Sequence, residues 1–111
     1  MRWISRYEEI ILLTILKLGE SAYGVSIRRQ IHLDSGDLWS YASIYTPLDL
    51  LKRKGFVRKI KGEPSNERGG KRKYFYEVTD SGKKALLEIQ DNQRKFWLGI
   101  PKIHPEHKKE Q

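Results

Sequence analysis

The chain has 111 residues, 32% charged and 38% hydrophobic, which allows one domain with a modest core and leaves no room for two. A net charge of +8 and a pI of about 9.8 call for a polyanionic partner, with nucleic acid ahead of an anionic membrane surface. Cysteine is absent, which excludes disulfides, thiolate metal sites and a thiol nucleophile and fits a reducing cytoplasm.

No apolar run reaches the roughly 18 residues of a membrane span. Glu8 and Glu9 precede the first apolar run and no small-residue cleavage site follows it, unlike a signal peptide. A first helix is expected from about Arg6 to Leu18, stopped by Gly19. Its apolar residues (Ile10 to Leu13, Ile15, Leu16, Leu18) cover more than the roughly 100° of a one-sided surface helix. Such a helix buries two faces, one in its own domain and one against a second helix or a second chain.

A second helix is expected from about Ala22 to Ile31, capped by Ser21, and then a turn-rich connection broken by Gly36. A third runs from Ser40 to Lys54, with Ile44, Leu48 and Leu51 on one core-facing stripe. Two short strands follow, Phe56 to Lys61 and Lys71 to Val78, joined by a polar loop with Gly69 and Gly70 at its bend. In the second strand Tyr74, Tyr76 and Val78 share one face, and Lys73, Phe75 and Glu77 the other. Thr79 caps a last helix whose stripe runs through Leu86, Ile89, Gln93, Phe96 or Trp97, and Ile100 until Pro101 stops it. This order predicts a mostly helical α+β chain: a winged helix-turn-helix of three helices and a two-stranded wing, plus a C-terminal dimerisation helix. Residues 1–78 would form the DNA-binding unit, 79–101 the dimerisation helix and 102–111 a flexible tail.

The segments SAYGVSIRRQI, SIYTPLDLLKRKGFV and GGKRKYFYEVTDSGKKAL resemble, in order and spacing, the signatures of PadR-like transcriptional regulators. These are Tyr23–Gly24 opening the second helix, Ile44–Tyr45 with Leu48 and Leu51 in the third, and the Lys54–Gly55 exit. The wing from Gly69 to Thr79 and the following Asp80 and Gly82 complete them. The match spans about three-quarters of the chain. Pro47 departs from the pattern, one position later than the family's usual proline, and Arg72 and Lys73 stand where members often carry proline and arginine. The resemblance implies the compact subgroup, in which the last helix packs with the first helix of a second protomer. It also implies ligand-responsive repression in many members.

In winged-helix proteins the second helix of the turn motif enters the major groove by its N-terminal residues. That assigns Ser40, Tyr41, Ser43, Tyr45 and Thr46 to the bases. Ser40 has a second reading as a plain N-cap, and Tyr45 one as packing against the second helix. Lys52, Lys71, Arg72 and Lys73 are assigned to phosphates. From Lys52 to Lys73 there are ten basic residues against two acids, so this segment alone carries the chain's whole +8. Dimerisation is assigned to Ile11, Ile15, Leu86, Ile89, Phe96 and Trp97. Trp97, with Phe96 and Gln93, is the candidate site for a flat aromatic or cationic effector, against a plain packing role for both rings.

No cofactor or metal is expected. His104 and His107 form only a two-ligand pair, beside Pro105. No activated nucleophile, carboxylate pair or phosphate-binding glycine loop suggests an enzyme. The leading expectation is a homodimeric repressor binding double-stranded DNA at a palindromic operator. The other two readings are a non-specific architectural DNA-binding protein and a winged-helix module that binds another protein.

Overall fold

A computed structural model of the protein describes residues 4–64 and 72–106. The first helix, α1 (Arg6–Leu18), has the predicted bounds. Ser5 Oγ accepts from the Glu8 amide at 3.1 Å and Glu8 Oε1 accepts from the Ser5 amide at 2.8 Å, a reciprocal cap. After a single 3₁₀ turn (Gly19–Ser21), Ala22 and Tyr23 run extended. The Tyr76 amide donates to the Ala22 carbonyl at 2.8 Å, and Tyr23 forms one bridge to Phe75. Two residues are too few to show a period, so the sequence carries no sign of this pairing.

The bridge delays the second helix, α2 (Gly24–Ser35), by two residues relative to expectation. Ser21 is not its cap. Its hydroxyl donates to the Leu18 carbonyl, while Ser26 Oγ accepts from the Tyr23 amide at 2.9 Å. The helix also runs past Ile31 to Gly36, whose φ of +81° gives the left-handed stop that glycine makes easily. Ser40 caps α3 (Tyr41–Arg53) by accepting from the Ser43 amide at 3.1 Å. The helix is continuous through Pro47, which is buried and offers no N–H to the carbonyl one turn back.

Strands β1 (Val57–Pro64) and β2 (Arg72–Val78) pair antiparallel, with Val57 opposite Val78, Lys59 opposite Tyr76 and Lys61 opposite Tyr74. β1 is longer than predicted, because pairing resumes at Pro64–Arg72 beyond an irregularity after Lys61. Gly62 sits there, against the Lys73 carbonyl and the Phe75 ring. The predicted Gly69–Gly70 bend lies outside the described residues. Thr79 caps α4 (Asp80–Trp97) by accepting from the Gly82 amide, and its own hydroxyl donates to the Gly55 carbonyl at 2.6 Å. α4 ends at Trp97, short of Ile100, and Gly99 turns the chain at φ +85°.

Ile11, Leu12, Ile15, Ile27, Ile31, Ile44, Leu48 and Leu51 form a buried centre where α1, α2 and α3 meet. Phe56, Val57, Tyr76 and Val78 close it from the wing side. Each such side chain contributes about 1.5–3 kcal/mol of burial. The radius of gyration is 17.3 Å, against about 13 Å for a compact chain of this length. Beyond Ala85 no residue of α4 is buried, so most of that helix stands clear of the core. The architecture is the expected winged helix-turn-helix with one further helix.

Candidate nucleic-acid interface

The outer side of α3 starts with a cap. Ser40 holds the first turn by its hydroxyl, which also donates to Ser43 Oγ at 3.0 Å. The two serine hydroxyls assigned to base contact are therefore already engaged with each other. Tyr41, Tyr45 and Thr46 are exposed, and Ser43 is half-buried. The rings of Tyr41 and Tyr45 stack with centroids 6.4 Å apart and planes at 23°. Tyr45 also lies across the start of α2, its hydroxyl and ring over the Cα of Gly24. Tyr45 thus has the packing role as well as an exposed ring face.

Arg28, one helical turn beyond Gly24, meets the other ring. Its guanidinium lies 4.3 Å from the Tyr41 centroid and its Nε donates to the Trp39 carbonyl at 2.6 Å. The sequence offered no sign of this role, because Arg28, next to Arg29 on a short helix, looks like any solvated cation.

The cations of the segment 52–73 divide into three groups. Lys54 Nζ bonds Glu8 Oε2 at 2.8 Å, where the Glu8 side chain is only 4% exposed, and Arg58 pairs with Glu77 across the strands at 3.0 Å. Arg68 and Lys71 lie outside the described residues. Lys52, Arg53, Lys59, Lys61, Arg72 and Lys73 are exposed and form no ion pair among the described residues. Two of these lie on aromatic faces: Lys59 is 4.5 Å from the Tyr74 centroid and Lys73 is 4.5 Å from that of Tyr23. Tyr23 in turn meets Phe75 edge-on at 5.6 Å. The aromatics therefore anchor the wing, and its lysines rest on them with their charge still facing water.

Helix α3 and the wing border one open cavity of about 440 Å³, with Tyr45 and Asp49 on one wall and Lys59, Arg72, Lys73 and Tyr74 on the other. Tyr76, at 6% exposure, forms part of its lining. Burial, then the neighbouring Tyr45 and Asp49, push the Tyr76 phenol above its ordinary value. Asp49 aside, the charges around this cavity are cationic, which suits a polyanion that touches helix and wing together.

The residues assigned to dimerisation divide differently. Ile11 and Ile15 are fully buried in the protomer's own core and are not available to a partner. The first helix does have a second apolar face, but it consists of Leu13 and Leu16, both exposed. The period alone does not say which stripe faces inward when apolar residues surround most of a helix. Leu13 and Leu16 border a cavity of about 510 Å³ shared with Leu86, Leu87 and Gln93 of α4. Leu86 and Ile89 are half-buried, while Phe96 and Trp97 are 77% and 63% exposed. Between them Asp91 bonds Arg94 at 2.7 Å and Lys95 at 3.1 Å, and those cations hold its carboxyl below the ordinary value.

Among the described residues no group of three or more His, Asp or Glu could hold a metal, and no helix is long and apolar enough to cross a membrane. His107 lies outside them.

Comparison with known proteins places this geometry. No curated protein matches the chain. Among solved structures, a PadR family transcription regulator from Clostridium difficile R20291 is 30% identical, with 81% of this chain and 88% of that one covered at a TM-score of 0.59. A transcriptional regulator from Clostridium thermocellum, Cth-833, shares the fold at 20% identity, covering 81% and 84% with a TM-score of 0.67. The protein smu.1704 from Streptococcus mutans UA159 shares it at 22% identity, covering 96% and 100% with a TM-score of 0.63. The model of the transcriptional regulator PadR-like family matches residues 12–88, which take in the turn motif, the wing and the start of α4. The chain belongs to the PadR-like family of transcriptional regulators and is a DNA-binding regulator, not an enzyme.

Proposed function

We propose that the protein is a cytoplasmic, homodimeric repressor. Each protomer sets the N-terminal part of α3 into one half of a palindromic operator and lays its wing along the adjoining backbone. The observation that carries this reading is the shared cavity: one wall is the recognition helix and the other is the wing, whose lining cations Lys59, Arg72 and Lys73 form no ion pair among the described residues. Tyr41, Tyr45 and Thr46 supply the exposed groups nearest the bases, and Lys52, Arg72 and Lys73 the phosphate contacts.

The exposed side of α4 supports dimerisation. Leu87, Phe96 and Trp97 of α4 and Leu98 just beyond it are all exposed, a large apolar surface for a single protomer. The Leu13–Leu16 face of α1 offers the matching surface on a second copy. Trp97 and its symmetry mate would then flank a cleft for a flat aromatic or cationic effector, with Gln93 and Phe96 beside it.

A binding titration tests the reading. The chain should shift duplex taken from upstream of its own gene and resist a scrambled competitor. Equal affinity for both duplexes would mean an architectural protein instead, and no affinity for either would mean a protein-binding module.

A further inference from the structure

Arg28 lies on the same side of α2 as Gly24, one turn away, and these two residues face Tyr41 and Tyr45, which are one turn apart on α3. The second helix therefore grips the recognition helix at two rungs. At one, the Tyr45 ring rests on a bare Cα. At the other, a planar cation covers the Tyr41 ring while its Nε ties down the Trp39 carbonyl, two residues before the helix begins. Tyr41 and Tyr45 stack on each other between the rungs, so Arg28 braces the entry of α3 and one ring of the exposed pair.

We propose that Arg28 is a positioning residue for DNA recognition, fixing the pitch of the Tyr41–Tyr45 pair, and is not one of the phosphate-binding cations. The proposal rests on the reading of α3 as the element that meets the bases. Three features of the geometry separate the two roles. Arg28 is half-buried, whereas the wing cations are exposed. Its Nε is spent on a backbone carbonyl. Its flat face is covered by a ring, a contact for which lysine is a poor substitute because an ammonium cannot lie flat on Tyr41 and reach Trp39 together.

Two variants test it, Arg28→Lys, which keeps the charge, and Arg28→Gln, which removes it. The first readout is the affinity ratio of operator to scrambled duplex at several salt concentrations. The second is amide exchange over residues 43–46 in the free protein. Arg28→Lys should lower the ratio about tenfold, the loss of one specific contact, with the salt slope of the parent, and should speed exchange. Arg28→Gln should do the same with no change of slope. In a Tyr41→Leu background, where the ring is already gone, Arg28→Lys should add little. Three results would overturn the proposal: a parental ratio in Arg28→Lys, a slope reduced by about two per dimer in Arg28→Gln, or unchanged exchange in both. Should the parent itself fail to prefer operator, the repressor reading falls, and the exchange measurement still decides whether Arg28 holds the helix.

Discussion

The Tyr45 hydroxyl occupies the space where a side chain on Gly24 would stand. This contact sets how closely the recognition helix approaches α2, and it explains why a glycine opens a helix at a position where its own backbone angles are unremarkable. Gly24→Ala should therefore cost about 1–3 kcal/mol, the usual penalty for overfilling a packed site. Pairing it with Tyr45→Ala should recover most of the added loss, because the two changes share one space. Urea unfolding of both singles and the double measures this; simple additivity would count against the contact.

The two ion pairs at the ends of the wing segment should behave unequally. Lys54 meets a Glu8 carboxylate that is almost fully buried and also caps α1. Lys54→Met leaves that carboxylate short of a partner and should destabilise the protein by about 1–3 kcal/mol. The exposed Arg58–Glu77 pair should contribute less than about 1 kcal/mol. Chemical denaturation of Lys54→Met beside Arg58→Ala compares the two, and equal losses would contradict the difference in burial.

Alkaline stability should depend on Tyr76. Its folded value is raised by burial, with Tyr45 and Asp49 adding to the effect, so the folded state holds the phenolic proton more tightly than the unfolded chain does. The stability this gives is complete below the unfolded value near 10 and is lost as pH climbs through the folded one. Tm should fall as pH rises above about 10 in the parent, and less steeply in Tyr76→Phe. Identical profiles would remove Tyr76 as the cause.

The proposed dimer and effector cleft separate by mutation. Leu87→Glu should give monomers by sedimentation, because it places a charge on the exposed apolar surface of α4. Trp97→Ala should leave the dimer intact and abolish the fluorescence quenching caused by a planar aromatic cation. Quenching that persists in Trp97→Ala would place any effector elsewhere.

Much of this was legible in the sequence where a period or a cap repeats locally. The bounds of α1, the Ser40 and Thr79 caps and the Ile44–Leu48–Leu51 stripe all follow from spacing and residue type. What failed to show was tertiary. Ala22 and Tyr23 are held extended by the wing, which moved the start of α2 and passed its cap from Ser21 to Ser26. Ile11 and Ile15 went to the core and Leu13 and Leu16 to the surface, a choice made by the neighbours of a helix that is apolar on nearly all sides. Lys54 counts as a basic residue in any tally of charge, and only the fold reveals that Glu8 neutralises it.

The central claim is that helix and wing grip one duplex through cations that carry no partner charge in the described protein. Titration of operator between 50 and 200 mM salt, for the parent and for Arg72→Gln/Lys73→Gln, tests it most directly. The parent should lose about 10³–10⁵ in affinity across that range, as expected for roughly six to ten phosphate contacts per dimer. The variant, with four cations fewer per dimer, should bind more weakly at low salt and show a slope shallower by about two to four. A variant that binds as tightly as the parent, with the same slope, would contradict the account.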